Sequence, residues 1–383
     1  MDGMSEKKQI DLLELRDQID QVDRQLVELF EKRQEICRSV AQYKIENHKK
    51  VLDREREEQK LAVVQQLAST DFNRHGVRDM FEQLMAVSRK LQYQILAENG
   101  QGLKLPFEQI DGLDPHANIV YQGVPGAYSH QAAMEFFGED AHLEPVRTFE
   151  DAMKALSICD ADYAVIPIEN STAGAVSDVY DLLGFYDNYI VGELYLRVEH
   201  ALLGVPGAQL SDIQVVYSHP QGLMQCAQYL GSNPQWKQIS INNTALAAKK
   251  VMEDGDVHHA AIASLAAAKL YGLQVLKEAV NHSAVNTTRF IVVAGRKIFT
   301  RDAHKVSICF ELPHKSGSLY TILSHFIYND LNMTKIESCP ILGKNWEYRF
   351  FIDFEGNLND TAVMGALRGI MEEVSYFKIL GNY

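Results

Sequence analysis

Much that would mark a secreted, metal-bound, membrane-spanning or nucleic-acid-binding chain is missing from these 383 residues. The five cysteines (Cys37, Cys159, Cys226, Cys309 and Cys339) lie far apart and form neither a CxxC pair nor a Cys/His ligand spacing. That disfavours disulfides and structural zinc and favours a reducing cytoplasm. Cations are in deficit, 37 Lys and Arg against 51 Asp and Glu for a net charge of −14, which disfavours a nucleic-acid partner because phosphate binding needs clustered Lys and Arg. No apolar run approaches the ~20 residues that cross a bilayer, and the polar stretch from Met1 to Gln9 lacks the apolar core of a signal peptide. No membrane association is expected. Helix breakers are also scarce at one end: residues 9–98 contain a single glycine, Gly76, and no proline.

What is present fits two or three folded domains, since 46% of the residues are apolar. From Ile10 to Tyr43 apolar residues recur at helical spacing: Leu12, Leu15, Ile19, Val22, Leu26, Leu29, Ile36 and Val40. A helix of that span is roughly 57 Å long. A second helix is expected after Asp53 and a third from Arg78 to Leu96. Three such helices enclose no core alone, so an intertwined helical dimer is expected.

Residues 99–117 read as a linker, rich in Gly, Asn, Asp and Pro. Beyond it short β-type runs alternate with helical ones: Ile119-Val120-Tyr121, Tyr163-Ala164-Val165-Ile166, Val215-Val216-Tyr217 and Phe290-Ile291-Val292-Val293. That alternation predicts α/β layers over 118–298, with ligand sites at strand ends. Residues 299–383 read strand, helix, strand, strand, helix, strand, the order of a ferredoxin-like sandwich.

Within the first segment, Arg33 and Lys44 are eleven residues apart, three full turns, and share a helix face about 16 Å from Cα to Cα. Two long cationic side chains on that face converge on one small dianion. Arg16 is a quarter turn off it and in a dimer reaches the partner's site. Ser88 and Gln92 share a face of the third helix. Taken alone these charges describe a solvated helix surface. In the combination Arg16, Asp23, Arg33, Lys44, Asp53, Arg56, Glu57, Ser88 and Gln92 the segment resembles the all-helical chorismate mutases. The resemblance implies that Arg16 (from the other subunit), Arg33 and Arg56 hold carboxylates. Lys44 and Gln92 then donate to the ether oxygen, Asp53 and Glu57 hold the ring hydroxyl, and Ser88 trims the pocket. The reaction is pericyclic and needs no nucleophile, only compression of the substrate and stabilisation of charge on the breaking ether bond.

The middle segment has neither a Ser/His/Asp signature nor a GxGxxG after a strand, which disfavours a dehydrogenase. It carries Gly123-Val124-Pro125-Gly126-Ala127-Tyr128-Ser129, Pro167-Ile168-Glu169-Asn170-Ser171-Thr172, Tyr217-Ser218-His219-Pro220-Gln221 followed by Gln225, and Thr288-Arg289-Phe290. Singly these are turns and N-caps; together, in this order, they resemble the prephenate dehydratases. The resemblance implies a two-lobed sheet with a cleft. Thr288 is the acid, acting directly or through an oriented water. Glu169, Asn170, Ser171, Thr172, Ser218, Gln225, Arg289 and Phe290 surround prephenate. Helices starting near Ser129 and Ser171 would receive its carboxylates; for Arg289 a structural ion pair is the competing expectation. Glu169 and His219 are the reserve acids. Neither a metal nor an organic cofactor is needed.

The last segment resembles the ACT domains, which bind amino acids at subunit interfaces. Gly317-Ser318-Leu319-Tyr320 stands where these relatives carry Gly-Ala-Leu-Val, and Glu337-Ser338-Cys339-Pro340 where they carry Glu-Ser-Arg-Pro. The resemblance implies a phenylalanine effector touching Gly317, Ser318, Leu319, Glu337 and Ser338. Tyr320 narrows that pocket, and Cys339 removes a cation. The three resemblances together imply conversion of chorismate to prephenate and then phenylpyruvate. The rival reading is a non-catalytic amino-acid-binding regulator whose helices only dimerise. Lys44, Gln92 and Thr288 together speak against it. A second alternative keeps one activity and loses the other.

Overall fold

The computed structural model of the chain describes residues 11–101, 103–283, 285–313, 317–341 and 343–383. They form two compact units, the described residues within 11–105, 317–331 and 359–374 in one, and those within 106–313, 332–358 and 375–383 in the other.

The first unit is helical. Its first helix, Leu12–Glu46, runs 35 residues and is started by Asp11, whose side chain accepts from Leu13 N at 2.9 Å. The stripe read from the sequence is largely uncovered: Ile19, Val22 and Leu29 are each more than half exposed. Only toward its C-terminal end does this helix bury residues, Ala41 packing with Val51, Tyr93 and Leu96. The second helix, Arg54–Leu67, begins after Asp53, which caps Arg56 N. The third, Asp71–Leu96, starts a full seven residues earlier than the spacing predicts. Thr70 caps it by accepting from Asn73 N at 3.1 Å, and Gly76 is absorbed inside the helix. Two later helices, Ser318–Tyr328 and Thr361–Glu373, belong to the same unit.

The second unit is built on two large sheets. Among the described residues, ten strands form the larger. In spatial order these are 333–340, 348–355, 305–311, 376–382, 189–197, 287–294, 163–170, 118–122 and 142–146, with the short strand 174–175 beside 163–170. Strand Thr287–Ala294 is antiparallel to both neighbours, while 118–122 is parallel to both of its own. Five strands make the smaller sheet, in the order 274–277, 201–204, 259–263, 215–218 and 237–240. Each sheet is buried on both faces, which is why its central strands read as near-continuous apolar runs. The chain passes from the large sheet to the small one through residues 198–200 and returns through 278–286. From 305 to 382 the elements follow in the order strand, helix, strand, strand, helix, strand.

No described helix is long and apolar enough to cross a membrane.

Candidate active sites

In the helical unit, Arg33 of the first helix reaches the third, its guanidinium donating to Leu84 O at 3.1 Å and to the Ser88 hydroxyl. Ser88 in turn bonds Leu84 O at 2.7 Å. Lys44 donates to Val51 O at 2.6 Å. Burial pulls its ammonium below the ordinary lysine range, against the opposing attraction of Asp53, Glu57 and Glu372. Gln92 is buried, and its carbonyl oxygen has no protein partner among the described residues. Arg16 and Arg56 are exposed, and Asp53 serves as a helix cap.

Sequence reasoning missed what fixes Glu57. Arg89, buried on the third helix, donates from one guanidinium nitrogen to both Glu57 oxygens at 2.8 and 2.6 Å, and from another to Glu373 at 2.9 Å. Tyr93 bonds Glu372 at 2.6 Å, and the same carboxylate accepts from Leu52 N at 3.2 Å. Helix Thr361–Glu373 therefore supports the segment that carries Lys44, Val51 and Glu57. Position 89 follows Ser88 on the third helix, so its arginine was visible; its carboxylate partner 284 residues away was not.

In the second unit, the end of strand Tyr163–Asn170 pairs with the start of Thr287–Ala294, setting Asn170 opposite Thr288. Asn170 donates to the Thr288 hydroxyl at 2.9 Å and to Asn286 Oδ1 at 2.8 Å. Its own carbonyl oxygen accepts from Thr172 N, Ala173 N and the Thr172 hydroxyl at 3.0, 3.0 and 2.7 Å. From the small sheet, Gln225 at the end of helix Pro220–Gln225 donates to the Thr172 hydroxyl at 2.9 Å. Ser171 accepts from Thr287 N at 3.0 Å and donates to Val285 O at 3.0 Å. So Asn170, Ser171, Thr172, Gln225 and Thr288 lie together in one hydrogen-bonded neighbourhood.

Four expectations are corrected. No helix begins at Ser171: Asn170 closes a tight turn there, Gly174 takes φ +85°, and the next helix opens at Ser177. Arg289 does not join this cluster. Side chains alternate along a strand, so with Thr288 turned to Asn170 its neighbour points into buried ion pairs with Glu193 and Asp353, both at 2.7 Å, and a bond to Tyr383. The ion-pair expectation is the one observed. Phe290 packs in the core with Tyr121 and Val292. Ser218 is fully buried, its hydroxyl spent on Ile262 O at 2.7 Å beneath Gly222, where a Cβ would come within 2.6 Å of it.

The reserve acids are also committed. Glu169 pairs with Lys335 at 2.8 Å. His219 caps helix Pro220–Gln225, accepting from Gln221 N at 3.2 Å, and burial lowers its pKa.

Of the effector residues, Gly317 caps helix Ser318–Tyr328 at φ +80°, a left-handed conformation that suits glycine, and Leu319 lies in that helix. Glu337 and Ser338 lie on strand Met333–Pro340 in the other unit, Ser338 exposed. Cys339 packs into the core with Tyr180 and Phe351, its thiol pushed up to about 11 by burial. An arginine there would not project as a free cation, which corrects the expectation that Cys339 simply leaves a charge out of the pocket. Tyr320 is exposed. Among the described residues no group of three or more His, Cys, Asp and Glu side chains could hold a metal ion.

Comparison with known proteins bears on both sites. Residues 15–93 match the family model for chorismate mutase type II, and residues 119–298 that for prephenate dehydratase. The bifunctional chorismate mutase/prephenate dehydratase of Escherichia coli (strain K12) is 34% identical over 381 residues, covering 97% of this chain and 96% of its own. The prephenate dehydratase of Arthrobacter aurescens, solved in complex with L-Phe, superposes with a TM-score of 0.64 at 30% identity, covering 70% of this chain and 89% of that one. A structure described as GqqA, a novel type of quorum quenching acylase, superposes with a TM-score of 0.63 at 32% identity, covering 69% of this chain and 97% of that one.

Proposed function

Because this chain belongs to the bifunctional chorismate mutase/prephenate dehydratases, we propose a division of labour between its cationic helical site and its neutral hydroxyl–amide site. The protein is an enzyme of phenylalanine biosynthesis that rearranges chorismate to prephenate and then converts prephenate to phenylpyruvate. The residue roles are our reading.

In the mutase, assigned to residues 1–98, Arg33 and the partner's copy of Arg16 clamp the two carboxylates, with Arg56 beside them. Lys44 and Gln92 meet the ether oxygen as the bond breaks. Asp53 and Glu57 hold the ring hydroxyl, and Ser88 fixes Arg33. The exposed apolar stripe of Leu12–Glu46 supports a dimer or larger assembly, because a single copy leaves Ile19, Val22 and Leu29 in water.

In the dehydratase, assigned to residues 118–298 after a linker at 99–117, the ring carboxylate leaves as carbon dioxide. Its electron pair enters the ring, and the hydroxyl departs with the C–O pair to become water on taking a proton from solvent. Aromaticity drives the step, so a weak donor at the departing oxygen suffices. The single observation that carries the assignment is the 2.9 Å bond from Asn170 to the Thr288 hydroxyl. An amide nitrogen only donates, so it fills a lone pair of that oxygen and turns its hydrogen elsewhere. Thr288 thus presents a donor to the departing oxygen, directly or through an oriented water.

Residues 299–383 act as a ferredoxin-like ACT module that binds phenylalanine and inhibits the dehydratase. The element order and the L-Phe held by the Arthrobacter relative support that reading. The reducing cytoplasm is the setting that five free cysteines favour. The test is a coupled assay supplied with chorismate, reading prephenate and phenylpyruvate separately. Lys44→Ala should stop the first step and spare turnover of added prephenate. Loss of both steps, or of neither, refutes the division.

A further inference from the structure

Beside the dehydratase residues already assigned lies His200, on the first crossing between the sheets and 2% exposed. Its Nε2 is 3.0 Å from Gln225 Oε1, and its Nδ1 is 3.1 Å from the Tyr128 hydroxyl, which also lies 2.8 Å from Glu199 O. Its backbone is pinned at both ends, N to Asn281 Oδ1 at 3.0 Å and O to Val280 N at 2.9 Å.

The direction of every hydrogen bond from here to Thr288 follows from two backbone amides. Thr172 N and Ala173 N can only donate, so the Asn170 atom they meet is the carbonyl oxygen and its amide nitrogen faces Thr288. The Thr172 hydroxyl, 2.7 Å from that same oxygen, must donate to it and therefore accepts from Gln225. Gln225 thus turns its nitrogen to Thr172 and its oxygen to His200. An oxygen acceptor facing His200 Nε2 requires a hydrogen on that nitrogen.

We propose that His200 is a positioning residue of the dehydratase. Held as the Nε2–H tautomer, it heads a one-way chain through Gln225, Thr172 and Asn170 that leaves the Thr288 hydrogen free for the departing oxygen. The proposal rests on the reading of Thr288 as the donor. Burial lowers the His200 pKa, which favours the neutral ring, and in this tautomer the Tyr128 hydroxyl turns its one hydrogen from Glu199 O to Nδ1. A reversed tautomer sets two acceptors face to face at Gln225. Relief by an amide flip turns the Thr172 hydrogen toward Gln225 and takes it from Asn170. Aligned bonds in such a chain polarise one another, so the far hydroxyl becomes a better donor than a lone threonine.

The test uses the full-length protein, with mutase turnover and thermal melting as checks on folding. His200→Leu should lower kcat on prephenate by about 10²-fold with KM little changed, because the loss is of orientation rather than of binding. His200→Gln, which carries an N–H at the Nε2 position, should recover most of that loss. Thr172→Val should match His200→Leu, Thr172→Ser should recover most of what Thr172→Val loses, and the double variant His200→Leu/Thr172→Val should lose no more than the worse single one. ¹⁵N NMR of histidine-labelled wild type should show His200 as a neutral Nε2–H imidazole. It reports on the chain even if His200→Leu fails to fold.

A neutral Nδ1–H signal overturns the proposal, as does an unchanged kcat in folded His200→Leu. So does a loss in His200→Gln as deep as in His200→Leu. Thr288→Val separates the two readings: if it keeps wild-type kcat the donor assignment itself falls, whereas its loss beside an active His200→Leu removes only the chain.

Discussion

The arginine that sequence reading passed over offers the sharpest test of the helical unit. Arg89→Met keeps the length of the side chain and removes its charge. Two carboxylates lose their partner, Glu57 with a side chain 24% exposed and Glu373 with one 12% exposed. Removing one member of a buried ion pair costs about 3–5 kcal/mol, because the remaining charge is left without compensation. We take that range once rather than twice: Glu57 can be rehydrated, and His325 remains 3.4 Å from Glu373. A loss of this size is a large fraction of a typical stability of about 5–15 kcal/mol, so urea unfolding should shift clearly.

Mutase kcat/KM should fall by about 10–10²-fold as Glu57 loses its fixed orientation, while prephenate turnover holds. The pH dependence carries a sign. Burial pushes the Glu373 carboxyl up, but His325 and Arg89 outweigh it and hold the group below the usual carboxylate range. In the wild type its contribution is therefore complete above the unfolded pKa and is lost only as pH falls through the lower folded value. In Arg89→Met the burial effect regains weight, and the carboxyl takes up a proton at higher pH. The stability gap between the two proteins should then narrow as pH drops from 7 toward 5. Adding Glu373→Gln to Arg89→Met should recover part of the stability and none of the mutase activity, since Glu57 stays unanchored. A single variant with wild-type unfolding and wild-type mutase rate refutes the whole argument.

Four other outcomes are expected. Thr288→Val should cut phenylpyruvate formation by about 10²-fold or more and leave prephenate formation from chorismate intact, measured in the coupled assay. Mutase kcat/KM should decline at alkaline pH with an apparent pKa below the ordinary lysine value, because burial lowers Lys44 and only its protonated form donates; a Lys44→Arg variant that stays active should lack that limb. A fragment of residues 1–98 should sediment as a dimer with mutase activity but unfold at lower urea than the intact protein, having lost Glu372 and Glu373. An active monomer would refute the trans role of Arg16. Phenylalanine should slow prephenate turnover, and Cys339→Arg should melt lower by a few kcal/mol, since a guanidinium would enter a core lined by Tyr180 and Phe351.

Local features were legible in the sequence wherever one residue type has one physical job. The breaker-poor start predicted helices because Gly and Pro are the residues that end them, and the second helix does follow Asp53, whose side chain caps it. The third helix begins earlier than the expected Arg78 because Thr70 caps it and burial of Met85, Gln92 and Leu96 further along outweighs the ~1 kcal/mol that Gly76 costs inside it. Asn170, Thr172, Gln225 and Thr288 came from the resemblance to the prephenate dehydratases, since singly such residues at strand and helix ends read only as turns and caps. Arg289 and Phe290 were drawn in by adjacency to Thr288, and strand alternation sends Arg289 to the opposite face. Long-range partnerships were not legible: nothing local to Arg89 announces Glu373, and nothing local to His200 announces Gln225.

The two sites also differ in how charge is handled, and that difference follows from the reactions. A pericyclic rearrangement creates no ion to be neutralised, so its catalyst gains most from fixed cations that hold the dianion compact, and such cations must themselves be held. That accounts for the carboxylates around Lys44 and Arg89, and for the number of buried charges in so small a helical unit. Loss of carbon dioxide and hydroxide from one ring starts with an anion and is driven downhill by aromaticity. A strong buried cation beside the ring carboxylate would stabilise the reactant that has to fall apart. On this reading the hydroxyl–amide chain ending at Thr288 is suited to its task because every member is neutral, and Arg289, the charged neighbour of Thr288, is turned to the other face of the strand and paired there with Glu193 and Asp353.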